Sequence, residues 1–228
     1  MGINTRQTMM KLPRLYAIVD ASAHASTQDL VAYAGELVAG GCTLLQYRNK
    51  SWNARVMLEQ ARELRRRLGS HPNVAKSATL GWGTHGSVRL IMNDRADLCL
   101  AAEFDGVHVG QDDLSPESVR GIIGPDRWLG VSTHNAEQLR DADRTSADYL
   151  AIGPVFSTSS KDKPDPEVGL EGVRRARALT RKPLVAIGGI TRSNAASVIE
   201  AGADSVAVIS DLLREPRKSA EEFFRILR

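Results

Sequence analysis

Cysteine is scarce. The chain has two in 228 residues, Cys42 and Cys99, and neither has the CxxC partner of a metal or redox site. Both sit in apolar surroundings and read as small buried hydrophobes, which points to a reducing compartment. Long apolar runs are also missing. None approaches the roughly 20 residues that span a bilayer, and the polar start, Met1 to Lys11, lacks the apolar centre of a signal peptide. A cytoplasmic protein with no membrane partner is expected. Excess charge of one sign is absent as well. The formal net charge is +3, too mild for a nucleic-acid binder, and no basic tract alternates with aromatics. The densest basic patch, Arg62-Glu-Leu-Arg-Arg-Arg67, falls in a helix-like segment and reads as a solvated face. No GxGxxG follows the first apolar run, so the dinucleotide fold loses its signature. No strong covalent nucleophile stands out: His134 has no acid or cysteine nearby to complete a triad.

What is present is a repeated alternation. Hydrophobic residues make up 42% and charged residues 25%, enough for a substantial core. Eight short β-rich runs follow one another: Leu15–Val19, Thr43–Gln46, Arg89–Met92, Gly106–Val109, Trp128–Val131, Tyr149–Ile152, Pro183–Ile187 and Ser205–Ile209. Most are nearly continuous in apolar character, as strands covered on both faces are. Amphipathic segments of helical length lie between them, and glycines at Ala39-Gly-Gly41 and Ala201-Gly-Ala203 suit helix C-caps. Strict strand–helix alternation means a parallel sheet with right-handed crossovers, and eight units favour closure. The expectation is a single (β/α)8 TIM barrel over residues 13–228 after a tail of residues 1–12. Residues 71–87, glycine-rich and containing Trp82, read as a loop insertion on the face opposite the usual active site.

In such a barrel the chemistry gathers where strands end. Gln46-Tyr-Arg-Asn-Lys50 follows the second run. Alternation sends Gln46, Arg48 and Lys50 to one side, an amide and two cations able to hold a heteroaromatic edge and a polyphosphate. Asn93-Asp-Arg95 and Gly110-Gln-Asp-Asp113 place Asp94 and Asp113 on neighbouring ends. Two carboxylates facing a basic phosphate site suit Mg²⁺. The plainer readings are a salt bridge from Asp94 to Arg95 and a helix N-cap for Asp113, and Asp112 is an alternative ligand. Ser132 can donate to a phosphate, whereas His134 reads as a packed, hydrogen-bonded residue and His108 as a barrel-interior one. Thr158, Ser160 and Lys161 offer two hydroxyls and an ammonium to an anion. Gly189, Ile209 and Ser210 follow the last two strands, where barrels often bind phosphate through backbone N–H groups.

Together these motifs resemble the thiamine phosphate synthase family, from about Leu15 to Leu213. The resemblance is carried by Gln46-x-Arg-x-Lys50, Asn93-Asp-Arg95, Gly110-Gln-Asp-Asp113, Gly130-Val-Ser-Thr-His-Asn135, Gly153-Pro-Val-Phe156, Thr158-x-Ser-Lys161, Ile187-Gly-Gly-Ile190 and Ile209-Ser210, all in the family's order. It implies a transferase for two phosphorylated small molecules. The diphosphate of 4-amino-5-hydroxymethyl-2-methylpyrimidine is joined to 4-methyl-5-(2-phosphoethyl)thiazole, giving thiamine monophosphate and diphosphate. It further implies that Gln46, Tyr47, Arg48, Asn49, Lys50, Asn93, Ser132 and Lys161 bind the pyrimidine diphosphate. Thr158, Ser160, Gly189, Ile209 and Ser210 would bind the thiazole phosphate, with one Mg²⁺ on Asp94 and Asp113. Arg48, Lys50, Ser132 and Lys161 would carry the catalysis. The usual Pro-Thr-x-Thr-Lys loop is Ser157-Thr-Ser-Ser-Lys161 here, which gives up proline's fixed φ, and 157–168 reads as a lid. Two rival readings are a thiazole tautomerase of the sister family, which would make His134 central, and a phosphate-binding module without catalysis. A tautomerase needs none of Asp94, Asp113, Lys50 and Lys161, and a binding module needs the pocket but not the paired acids. The sequence leaves room for a homo-oligomer.

Overall fold

The structure, a computed structural model, describes residues 10–69, 88–158 and 165–228. The insertion at 71–87, including Trp82, lies outside the described residues, as do Ser160, Lys161 and the stretch 159–164 of the expected lid.

Eight strands close a parallel barrel in chain order. They are β1 (Leu15–Asp20), β2 (Leu44–Arg48), β3 (Arg89–Asn93), β4 (Gly106–Val109), β5 (Trp128–Thr133), β6 (Tyr149–Ile152), β7 (Leu184–Ile187) and β8 (Ser205–Val208). Each pairs with its neighbours in parallel, and β8 pairs with β1. The helices are α1 (Thr27–Ala39), α2 (Ala54–Leu68), α3 (Ala96–Ala101), α4 (Pro116–Ile123), α5 (Ala136–Asp143), α6 (Gly169–Leu179), α7 (Ala195–Glu200) and α8 (Pro216–Ile226). Several begin at a side-chain cap. Ser26, Asn53, Ser115 and Asn135 each accept a backbone N–H from the first turn of their helix, satisfying a donor that the helix itself leaves open.

The continuous apolar character of the strands reflects two cores. Alternate residues (Tyr16, Ile18, Leu44, Ile91, Tyr149, Ala151, Val185, Ala207) fill the barrel interior. The intervening ones pack under the helices, with Leu30 and Leu37 of α1 and Phe223 of α8 among their partners. Leu12, and with it Met10, joins the interior cluster. The core therefore begins inside the stretch read from sequence as a tail.

The base of the barrel, where strands begin, is tied by a repeated clamp. Asp105, Asp148 and Asp204 precede β4, β6 and β8. Each accepts the backbone N–H of a residue in the preceding strand: Leu90 at 2.7 Å, Leu129 at 2.7 Å and Leu184 at 2.8 Å. Each is also bound by an arginine from the helix layer: Arg65 of α2 at 2.9 Å, Arg120 of α4 at 2.6 Å and Arg177 of α6 at 2.8 Å. One carboxylate thus serves a strand and a helix at once, through charge-assisted bonds.

Candidate active site

The opposite rim, where strands end, collects the polar side chains. β2 and β5 run further than their apolar stretches indicate. Gln46, Arg48, Asn93 and Ser132 are therefore ladder residues of β2, β3 and β5, held by the sheet. Strand alternation splits the Gln46–Lys50 motif. Tyr47 and Asn49 face outward: the Tyr47 hydroxyl donates to Gln60 of α2 at 2.6 Å, and Asn49 Nδ2 donates to the same oxygen at 2.9 Å. Both are buried beneath the helix layer, so the side-chain contact with substrate that the resemblance implies for them is not the arrangement seen. Gln46 and Arg48 point inward.

Arg48 is bound to Asp20, the last residue of β1 and its partner in register. Burial alone would raise the Asp20 carboxyl. Hydrogen bonds from Ser22 and the Arg48 guanidinium outweigh it and hold the group below its ordinary value. Sequence reasoning missed Asp20. Its signal was a carboxylate one residue past an apolar run, on the face shared by Tyr16 and Ile18.

Asp94 follows β3 in a left-handed conformation, φ +60°, uncommon for a residue with a Cβ. Its N–H is fixed to the His108 carbonyl at 2.8 Å, and its carboxylate meets the Lys50 ammonium. Arg95 instead pairs with Asp97 at 2.8 Å, so the Asp94–Arg95 bridge is not formed. Asp113 does not cap α4, since Ser115 does. Asp113 Oδ2 takes the Gly110 N–H at 2.7 Å and lies beside Asp94. Burial raises the Asp113 carboxyl above its ordinary value, and the neighbouring Asp94 charge adds to this. Asp112 is exposed. Two hard oxygen donors pressed together, with a lysine as counter-charge, fit the donor set of Mg²⁺. No group of three or more His, Cys, Asp or Glu able to hold a metal occurs among the described residues. Asn93 Nδ2, at the end of β3, is a buried donor with no partner among the described residues, as a ligand-facing amide would be.

The residues expected to hold the second phosphate follow β6, β7 and β8. Gly188 and Gly189 follow β7 with φ of +99° and +63°. A Cβ on Gly189 would stand 2.4 Å from the Ser157 carbonyl oxygen, so the glycine is needed for close approach as well as for the turn. The loop after β6 is zipped onto it: Val155 N–H donates to the Ile187 carbonyl at 2.9 Å and Phe156 N–H to that of Gly188 at 3.0 Å. Thr158, at the end of this segment, is thereby brought to the side of Gly189. Ile209 and Ser210 lead into a short 3-10 turn, Ser210–Leu212. Arg192, unassigned from sequence, grips Asp211 of that turn through its backbone N–H at 2.8 Å and its Nε at 3.0 Å. The loops after β7 and β8 are thus held as one. His134 braces a loop, its Nδ1 donating to the Gly153 carbonyl at 2.6 Å with Asp165 at 3.4 Å.

Residues 15–212 match the family model described as thiamine monophosphate synthase. The chain belongs to this family. A thiamine-phosphate synthase of Koribacter versatilis is 58% identical over 96% of this chain and 97% of its own length. One of Chloroflexus aurantiacus is 42% identical over 86% and 83%. Thiamine phosphate pyrophosphorylase from Pyrococcus furiosus superposes with a TM-score of 0.77 at 30% identity, covering 94% of this chain and 95% of the other. The fold, the family and the transferase class expected from the motifs agree with these likenesses. No described helix is long and apolar enough to cross a membrane.

Proposed function

We infer that this chain joins the two substrates implied by the family: a pyrimidine carrying a diphosphate on its methylene group, and a thiazole carrying a phosphate. The carbon–oxygen bond to the diphosphate breaks, and a carbon–nitrogen bond to the thiazole ring forms. Diphosphate leaves, and the product is thiamine monophosphate. One observation carries the reading: Lys50, Asp94 and Asp113 meet at the rim, the same end of the barrel that holds the inward-facing Arg48 and an Asn93 amide with no partner among the described residues.

The residues divide by charge. Arg48, oriented by Asp20, and Lys50 neutralise the diphosphate as it departs, with Lys161 as the third cation by match of motif. Asn93 and Ser132 donate hydrogen bonds to the pyrimidine diphosphate. Gly189, Ile209 and Ser210 offer backbone N–H groups to the thiazole phosphate, and Thr158 and Ser160 offer hydroxyls. Asp94 and Asp113 would hold Mg²⁺, which when bound adds positive charge at the leaving oxygens. The chain's own work is positioning and charge neutralisation, without a covalent nucleophile. The two cysteines, free and buried, support a reducing, cytoplasmic setting.

The test is direct. Both phosphorylated substrates are mixed with the protein, with and without Mg²⁺, and thiamine phosphate is measured. Metal-dependent product formation is expected. Full turnover without divalent metal, or in Asp94→Ala, would overturn the metal assignment. Full turnover in Lys161→Ala would overturn that residue's role.

A further inference from the structure

A chain of side-chain hydrogen bonds crosses the barrel interior and joins two substrate-facing residues. Gln46 Nε2 donates to the Tyr16 hydroxyl at 2.8 Å. The Tyr16 hydroxyl lies 3.0 Å from that of Tyr149, which lies 3.1 Å from His108 Nδ1. His108 Nε2 is 2.8 Å from Ser132 Oγ. Tyr16, Gln46, His108 and Tyr149 are all buried. The links come from five strands, so the network is a product of closure and belongs to no single motif.

Gly130 makes room for it. A Cβ there would stand 2.4 Å from the Tyr149 hydroxyl oxygen and 2.4 Å from His108 Nδ1. The missing side chain on β5 is the space in which the tyrosine–histidine bond is made. Two residues further along the same face of β5 is Ser132.

The chain has a direction. Each tyrosine has one hydrogen to give, and a neutral imidazole has one. The Tyr16 oxygen already receives the Gln46 amide, so its own hydrogen goes to Tyr149. Tyr149 then gives its hydrogen to His108 Nδ1. The single proton of His108 is left on Nε2, where it is donated to Ser132 Oγ. The Ser132 hydrogen is thereby turned away from the interior, toward the rim. Running the chain the other way would require turning the Gln46 amide over, so the two ends can invert only together. Burial keeps the histidine neutral, with its pKa pushed down to about 4.

We propose that Tyr16, Tyr149 and His108 are positioning residues that fix Gln46 as a hydrogen-bond acceptor, and Ser132 as a donor, toward the bound pyrimidine diphosphate. Gln46 meets an amino group with its carbonyl oxygen, while Ser132 meets a substrate acceptor with its hydrogen. The proposal rests on the reaction assigned above. It adds residues to it that touch no reacting atom.

Two measurements test it. Long-range ¹⁵N–¹H spectra of histidine-labelled protein at pH 7, with His108 assigned by loss in His108→Gln, should show a neutral ring protonated on Nε2. A proton on Nδ1 overturns the proposal. This arm needs no substrate, so it is separate from the wild-type turnover assay that decides the reaction. In steady-state kinetics with both substrates and Mg²⁺, Tyr149→Phe should lower kcat about tenfold, the worth of one oriented hydrogen bond. In a Ser132→Ala background the same change should cost clearly less than tenfold, the remainder being the share carried by Gln46. Fully multiplying losses would mean that the Tyr149 hydroxyl does not act through Ser132, and would overturn the proposal. His108→Gln, whose amide can still donate near the Nε2 position, should retain more activity than His108→Leu of equal thermal stability. Equal activity of those two variants overturns the proposal as well.

Discussion

The Lys50 ammonium is bound to the Asp94 carboxylate, so the residue proposed to neutralise phosphate and one of the two proposed to hold metal are already in contact. Each holds the other in place at the rim. The pair also offsets charge that would otherwise accumulate beside Asp113. A divalent cation, if held by Asp94, would compete with Lys50 for the same carboxylate.

Asp94→Asn keeps the shape and removes the charge. It should lower kcat/KM by about a hundredfold, within the range for losing one preorganised electrostatic contact. The Mg²⁺ concentration for half-maximal rate should rise. A titration of rate against free Mg²⁺ in wild type and variant checks both.

Gly189→Ala introduces a Cβ where φ is +63° and where the Ser157 carbonyl oxygen would be 2.4 Å away. The loop after β6 must retreat. The expected result is a rise of about tenfold in KM for the thiazole phosphate, equivalent to roughly 1.4 kcal/mol. KM for the pyrimidine diphosphate should change much less. Varying each substrate at saturating levels of the other separates the two.

His108 makes stability depend on pH. Its folded-state pKa of about 4 lies below the ordinary value of 6.5. Between those values the unfolded chain binds a proton that the folded one refuses, so stability rises with pH across that window. Falling from pH 7 to pH 4, the protein should lose about 3 kcal/mol from this group. Denaturant unfolding at pH 7 and pH 4.5 should show a steeper fall in wild type than in His108→Gln. Equal slopes would contradict this.

Arg120 donates to Asp148 at 2.6 Å, to the Arg127 carbonyl at 2.6 Å and to that of Gly124 at 2.9 Å. Arg120→Ala should cost about 2 kcal/mol, from lost charged hydrogen bonds. In melting temperature that is about 5 °C for a chain of this size. kcat should stay within twofold of wild type, since the clamp lies at the opposite end of the barrel. Thermal melts and turnover measured on one preparation give both numbers.

The barrel was legible because parallel strands covered on both faces leave unbroken apolar runs. Leu15–Val19, Gly106–Val109 and Tyr149–Ile152 announce themselves in that way. The ends of β2 and β5 were less so, because Arg48 and Ser132 are polar residues inside the ladder, and hydropathy stops before hydrogen bonding does. The rim motifs were readable from residue type and order. Their couplings were not: Lys50 with Asp94, Arg48 with Asp20, and Arg192 with Asp211 bridge consecutive strand–helix units that the pairing of neighbouring strands brings together. Tyr16 and Tyr149 looked like ordinary strand aromatics. Nothing local in sequence says that their hydroxyls meet.

The Asp–Arg clamps recur once for every two strand–helix units, at the starts of β4, β6 and β8, and Thr43 occupies the corresponding place before β2. Fastening that is renewed at three of the four quarter-turns makes the scaffold modular. A loop at the working end can lengthen, shorten or change its chemistry, and the joints beneath it are undisturbed. Durability and reactivity are thereby written into opposite poles of the molecule and can be altered one at a time.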